Sequence, residues 1–304
     1  MRPPAQPEYH PCSAAELDAL LDEDDGTELT EAQVKGRQSM SGVQPKLVLR
    51  RRGGVYELPK GGAPTNVMLK RARRRHPGIV HNELASLQCM RAAGVPVVDA
   101  TAPAGFNGFF ETTRYDRLVH NDGIDRLHQE DFCQATGKSP RAKYQETGGP
   151  ALADLTAVLV RYSVSAIEDL DVLARWMVAN LCIGNNDAHA KNLSLLYGQT
   201  GIRLAPVYDV VCTLAYPQID QRLSISLGGA YDIAELSPQV YRKAARALGM
   251  SHTRLHAVAD EVIQGIEGAL DAICHDMATR YGDVPVIAQV REIVRARVAA
   301  LKRV

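Results

Sequence analysis

Apolar positions change their period along the chain. In residues 46 to 118 they fall in short, strand-like runs, and from about residue 130 onward they recur at helical spacing. The stretch "KLVLRRRGGVYELP" (46 to 59) predicts two strands around a Gly53-Gly54 turn. "TNVMLKRA" predicts a third strand containing Lys70, and "GFFETTRYDRL" a further strand running into a polar connector. Between them, "PGIVHNELASLQCMRAAGVPV" predicts a helix with Val80, Leu84 and Leu87 on its apolar side; Gly94 stops it and Pro96 lies beyond. Upstream, residues 1 to 12 are Pro-rich and extended or mobile, and "SAAELDALLDEDDGTELTEAQVKG" predicts a Ser-capped acidic helix, a turn at Gly26 and a loop. "ALADLTAVLVRYS" and "DLDVLARWMVANLCIG" are helical, with Leu173, Trp176, Met177 and Leu181 on one face. Three amphipathic segments follow residue 236. The pattern predicts an α+β chain: an extension with an acidic helix (1 to 38), a small β-rich part (39 to 118) and a helical part (119 to 304).

Composition narrows the class. The chain has 304 residues, 45% of them hydrophobic, enough to bury a core. Its formal charge is zero, so no bulk attraction to nucleic acid or anionic membrane exists, and no DNA-binding motif is present; direct DNA contact is not expected. Six cysteines are scattered without a C-x-x-C pair, which points to reduced thiols rather than zinc or disulfides. With no signal-peptide core and no 18-residue apolar run, the expected location is the cytoplasm, without a membrane.

The densest chemistry lies in "IGNNDAHAKNLSLLYGQTGIRLAPVYDVV", residues 183 to 211. Asp187 followed by Asn192 has the D-x-x-x-x-N spacing of kinase catalytic loops: a carboxylate that orients or deprotonates the nucleophile, then a metal-ligating amide. A hairpin around Gly198 to Gly201 returns the chain to Asp209, a second oxygen ligand suited to Mg²⁺. Lone Asp and Asn residues usually cap turns. Here an ordered set of them, with a lysine upstream, argues for more. His189 orients Asp187, binds phosphate or is structural; Lys191 neutralises phosphate or is solvated. Lys70, on its strand, suits the α- and β-phosphates, and Glu83 on the next helix could pair with it. The basic run 71 to 75 faces solvent, or meets an acidic partner or tRNA. "SMSGVQPK" (39 to 46) holds one glycine, Gly42, and is a weak phosphate loop or a plain turn.

The motifs "NNDAHAKN", "LAPVYD", "SGVQPKL", "TTRYDRL", "EDFCQATG" and "KYQETGGP" together resemble the HipA-type serine/threonine kinases of bacterial toxin–antitoxin systems, over residues 36 to 300. The resemblance implies a two-lobed, protein-kinase-like (PI3/4-kinase-related) fold with a small β-rich N-lobe and a helical C-lobe. It implies dependence on ATP and Mg²⁺, and autophosphorylation on serine. By position, Asp187 is the catalytic aspartate, with His189 beside it, and Asn192 and Asp209 are the metal ligands. Lys70 binds phosphate; Ser41, Gly42, Val43, Gln44 and Lys46 belong to the ATP loop; Thr113, Arg114 and Tyr115 form the hinge at adenine. His189, Lys191 and Tyr208 complete the nucleotide set. Only 38 residues precede Ser39, fewer than the family's N-terminal subdomain needs, and with the serines of "SMS" this resembles the HipT branch of tripartite HipBST systems. There a small HipS-like protein supplies the missing subdomain and a HipB-like helix-turn-helix antitoxin binds DNA. The implied substrates are aminoacyl-tRNA synthetases, glutamyl or tryptophanyl. Autophosphorylation is expected at Ser39, Ser41 or both, where a phosphate carrying about −1.5 to −2 charge would repel the nucleotide. A small-molecule or lipid kinase, and a kinase-shaped protein that tethers an antitoxin, stay open.

Overall fold

The computed structural model describes residues 7–22, 46–71, 76–103, 109–139 and 141–303. The chain forms two compact units, Met1–Val80 with Val98–Leu127, and His81–Val97 with His128–Val304. Ser39, Ser41, Gly42, Val43, Gln44 and the basic residues 72 to 75 lie outside the described residues.

The first unit is built on a six-stranded sheet. Its strands are β1 (Glu8–Cys12), β2 (Lys46–Arg52), β3 (Val55–Lys60), β4 (Val67–Arg71), β5 (Ala100–Thr101) and β6 (Phe109–Thr113), in the order β1-β3-β2-β4-β6-β5. Every adjacent pair is antiparallel. Gly53 and Gly54 turn β2 into β3 with φ of +56° and +83°. Positive φ at both central residues gives the turn whose twist matches paired strands. Helix α1 (Ala14–Asp22) begins at a reciprocal cap: Ser13 Oγ accepts from Glu16 N at 3.2 Å, and the Glu16 carboxylate accepts from Ser13 N at 2.8 Å. Leu17 and Leu21 of α1 join Leu47, Leu49, Leu69 and Phe109 in one apolar cluster. The segment expected as an extension before residue 39 thus supplies an edge strand and a core helix to this unit. A hairpin of β7 (Arg117–Val119) and β8 (Ile124–Arg126) extends the unit.

The second unit contains helix α2 (Ile79–Ala92) from His81 onward. A three-stranded sheet of β9 (His128–Asp131), β10 (Ser194–Gly198) and β11 (Gly201–Leu204) has the order β11-β10-β9. The helices are α3 (Phe132–Ala135), α4 (Leu152–Tyr162), α5 (Ala166–Ile183), α6 (Pro238–Ala247), α7 (His252–Tyr281) and α8 (Pro285–Leu301). Helix α5 packs against α4, α7 and α8 and buries Leu173, Trp176, Val178, Leu181 and Ile183. The helices and the β10–β11 hairpin follow the sequence pattern. Strand β9 and helix α3 were not legible there, because "HQED" has no apolar alternation and pairs only with β10, far along the chain. All six cysteines are free. Among the described residues, no helix is long and apolar enough to cross a membrane.

Candidate functional site

Helix α5 ends at Gly184, whose φ is +75°. A Cβ there would lie 2.8 Å from Leu214 Cδ1, so both conformation and space demand glycine. Asn180 O accepts from Gly184 N and Asn185 N, each at 3.0 Å, and Asn185 Nδ2 donates to Asn180 Oδ1 at 2.7 Å. The chain is then fastened from outside. Asn186 N donates to Thr213 Oγ1 at 2.8 Å, and Asn186 O accepts from Ser224 N and Ser224 Oγ at 2.9 and 2.7 Å. A buried asparagine–asparagine–serine scaffold therefore delivers Asp187 to a half-buried position at the helix end.

Asn192 ties the motif together. Its Nδ2 donates to Asp187 O at 3.0 Å and reaches Asp209 O at 3.5 Å. Its backbone N donates to His189 O at 2.9 Å. With the amide nitrogen so used, Asn192 Oδ1 accepts from no described residue, although the side chain is buried. Asp209, brought back by the hairpin, has φ of +59° and is the sole non-glycine with positive φ among the described residues. That conformation costs roughly 1–2 kcal/mol for an ordinary residue, less for Asp. Such strain persists where the surroundings impose it. Here Val207 N donates to Pro96 O at 2.8 Å, and Cys212 N to Asn82 Oδ1 at 2.8 Å while Asn82 Nδ2 donates to Cys212 O at 3.0 Å. Tyr208 OH donates to Lys191 O at 2.8 Å and lies 2.7 Å from Ser194 Oγ, bracing Lys191 and Asp209 from the hairpin. An amide oxygen without a donor beside a strained aspartate is a donor set for a hard cation. No group of three His, Cys, Asp or Glu side chains among the described residues could hold a metal alone. Mg²⁺ takes one or two protein oxygens and fills its shell with water and phosphate.

Two side chains from residues 141 to 149 complete the cluster, and neither had been assigned a role from sequence. Tyr144 OH donates to Asp187 Oδ1 at 2.9 Å. Burial, with the Asp187 charge and hydrogen bond, pushes the Tyr144 phenol well above its ordinary range, so it stays a donor. Lys143 Nζ lies 3.0 Å from His189 Nε2. Burial holds His189 below the ordinary imidazole range; Asp187 opposes that shift and Lys143 adds to it. A neutral ring accepting from Lys143 at Nε2 carries its proton on Nδ1, which is buried without a partner. Lys191 is half-buried on the short turn Ala190–Asn192. The sequence signal for Lys143 and Tyr144 is the motif "KYQETGGP", which by itself gives neither residue a role. Asn82, in "HNELASL", gave no signal beyond a polar residue in a buried helix.

In the first unit, Lys70 is 2% exposed, with Nζ 5.4 Å from the Phe110 ring centroid. The β2–β4 register sets Lys46 directly opposite Lys70. Like charges facing across a strand pair are destabilising unless an anion offsets them. Thr113 N donates to Asp99 O and Arg114 N to Asn66 O, each at 2.9 Å, while Tyr115 follows in a turn. The Arg114 guanidinium grips Asp116 at 3.0 and 2.8 Å and reaches Thr65 Oγ1 at 3.3 Å. Burial alone would raise the Asp116 carboxyl; Arg114 and Arg117 outweigh it and hold it below the usual carboxylate range. Glu83 is buried on α2.

The profile of the HipA-like C-terminal domain matches residues 38–270. The chain belongs to the HipA-like C-terminal domain family. Its relatives include the protein Y4mE of Sinorhizobium fredii, 33% identical over 264 residues, which cover 86% of this chain and 63% of Y4mE. The serine/threonine-protein kinase toxin HipA of Shewanella oneidensis is 28% identical over 215 residues, 65% of this chain and 48% of HipA. The HipA-like chain thus spans less than two thirds of either relative. Shewanella HipA, solved with HipB and operator DNA, superposes with a TM-score of 0.81 at 22% identity, over 97% of this chain and 72% of that one. The Helicobacter pylori proinflammatory kinase CtkA gives 0.54 at 13% identity, over 85% and 93%. The expected α+β, kinase-like fold is the fold of this HipA-like chain, with a β-rich unit and a helical unit.

Proposed function

We propose that this HipA-like chain is an ATP- and Mg²⁺-dependent protein serine/threonine kinase acting as the toxin of a toxin–antitoxin system. The carrying observation is the Asn192 carboxamide, which joins the Asp187 and Asp209 backbones while its own oxygen has no donor among the described residues. In this reading Asp187 takes the proton of the acceptor hydroxyl. Asn192 and Asp209 would hold Mg²⁺, which neutralises charge on the phosphates. His189, kept neutral by its burial, fixes the loop, and Lys191 faces the transferred phosphate. Positioning and electrostatics of this kind are most of what phosphoryl transfer asks of a protein.

The family resemblance extends the proposal to residues outside that cluster. Lys70 and Lys46 serve the nucleotide phosphates, Ser41 to Gln44 the ATP loop, Thr113 to Tyr115 adenine, and Tyr208 braces the metal end. Ser39 and Ser41 are the autophosphorylation sites. The proposed substrate is an aminoacyl-tRNA synthetase, glutamyl or tryptophanyl, in the cytoplasm. The proposed partners are a HipB-like DNA-binding antitoxin, in keeping with the Shewanella complex, and a HipS-like small protein. The HipT-like assignment rests on the "SMS" motif and its surroundings.

Incubation of the purified chain with ATP and Mg²⁺, followed by intact-mass analysis, tests both layers. Phosphate gain is expected in the wild type, not in Asp187→Asn, and not in a Ser39→Ala, Ser41→Ala double variant. No gain in the wild type, with or without an added synthetase as acceptor, would remove the kinase reading; a gain that survives the double variant would remove only the assigned serines.

A further inference from the structure

We propose that Tyr144 is a positioning residue for Asp187, holding one carboxylate oxygen so that the other is presented to the phosphoacceptor hydroxyl. The proposal rests on the kinase reading above and deepens it.

A carboxylate on a short side chain beyond a helix end has two torsions to fix. Among the described residues, Tyr144 alone donates to the Asp187 carboxylate, at Oδ1, and none donates to Oδ2. The phenol can fix that group because its own place is over-determined. Tyr144 O accepts from Thr147 N at 3.1 Å and from Gly149 N at 2.9 Å, closing the turn that follows. A Cβ on Gly149 would lie 2.6 Å from Ala142 O and 2.7 Å from Tyr144 O, so the turn closes this tightly only around glycine. Gln145 N donates to Ser224 O at 3.0 Å, and Gln145 Oε1 accepts from Ser226 N at 2.8 Å. Ser224 also donates twice to Asn186 O, immediately before Asp187. One segment therefore anchors both the residue preceding the carboxylate and the residue following the tyrosine. The ring is set edge-on to His189, centroids 5.5 Å apart at 71°, with Lys143 Nζ 4.7 Å from its centroid.

In the transfer, the acceptor oxygen bonds the γ-phosphorus and the bond from phosphorus to the β–γ bridging oxygen breaks. ADP leaves with the electron pair, and the acceptor proton passes to Asp187 Oδ2. Tyr144 keeps its own proton throughout and touches no reacting atom.

The test uses the full chain, γ-labelled ATP and Mg²⁺, and follows phosphate incorporation into the chain itself. Tyr144→Phe keeps the ring and removes the hydroxyl. The saturating rate should fall about 10- to 100-fold, while the half-saturating ATP concentration stays within about twofold. An unchanged rate overturns the proposal. A faster rate also overturns it, since the hydroxyl would then be occupying the acceptor's place. A second readout needs no catalysis. With ¹³Cζ-labelled tyrosine, the Tyr144 resonance, assigned by its loss in Tyr144→Phe, should titrate at lower pH in Asp187→Asn than in wild type. Lys143, His189 and Asp220, the other charged or titratable groups acting on this site, are the same in both proteins. Equal midpoints overturn the contact between the phenol and the Asp187 charge whether or not the chain transfers phosphate. Absence of incorporation by wild type, into itself or into an added synthetase, overturns the kinase reading and the role with it, while a shifted midpoint would still report that contact.

Discussion

Helix α5 has a carboxylate at each end, and the protein treats them differently. Asp169, in the first turn, is 2% exposed and accepts from every side. Ser163 Oγ donates at 2.6 Å, Arg203 Nε at 3.1 and 3.2 Å to the two oxygens, Arg203 Nη2 at 2.9 Å and Leu204 N at 2.9 Å. Asp187, beyond the last turn, is half-buried, and among the described residues its carboxylate takes one donor, from Tyr144. Both are fixed in place; only one is saturated. A saturated buried carboxylate has no lone pair left for a substrate, so Asp169 serves the fold by pinning β11 to the start of α5. Buried polar groups in folded proteins are nearly always satisfied, and those that are not call for an explanation. At the far end of the same helix, Asp187 Oδ2, Asn192 Oδ1 and the buried Asn186 Oδ1 have no donor among the described residues, and all three lie in the stretch expected to carry chemistry.

The contrast can be broken at either end. At the unsaturated end, beside Asp187 itself, a large effect is expected from Asp209→Asn. Asn tolerates positive φ, so the fold should hold, while loss of a charged metal ligand should slow Mg²⁺-dependent transfer by roughly 10²- to 10³-fold. Calorimetry should show weaker ATP binding with Mg²⁺ and little change without it; equal loss in both conditions would make Asp209 a structural residue. Asp169→Ala should do the reverse. It strands the Ser163 hydroxyl and the Leu204 amide and should cost about 2–4 kcal/mol of unfolding free energy in urea, the half-exposed Arg203 being partly rehydrated. Transfer per folded molecule should stay near wild type.

The smallest effect sharpens the same distinction for a group of neither kind. His81 packs edge-on to Tyr281 with ring centroids 5.3 Å apart, and its Nδ1 is buried without a partner. Burial depresses its pKa below the ordinary 6.5. The unfolded chain then binds more protons than the native one between the two pKa values, so stability rises with pH across that window. His81 therefore destabilises the fold progressively as pH falls below about 6.5, and the loss levels off under the folded pKa. His81→Leu should remove that part of the acid slope; an unchanged slope in thermal melts at pH 5 to 7 would contradict it.

Much of this was legible in the sequence where physics is local. The glycine pair at 53 and 54, the helical stripes of α4 to α8 and the order Asp187, Asn192, Asp209 each declare themselves within a few residues. What stayed hidden depends on partners far along the chain. Strand β1 has a Pro and a His where alternation would show, and is a strand because β3 pairs with it. Tyr144 meets Asp187 across 43 residues, and Asn82 meets Cys212 across 130. No periodicity signals either meeting. Saturation, the property that separates Asp169 from Asp187, cannot be read from sequence at all, since both are acidic residues at the end of one amphipathic helix.

The central claim is that the unsaturated end of α5 performs phosphoryl transfer. Its most direct test is single-turnover phosphate incorporation from γ-labelled ATP with Mg²⁺, comparing wild type with Asp187→Asn. Asp187→Asn is near-isosteric and can still accept from Tyr144, so its melting temperature should match wild type. Its rate should fall by about 10²- to 10⁴-fold, the usual loss when a positioned base is removed. A folded Asp187→Asn protein that incorporates phosphate at the wild-type rate would contradict the account.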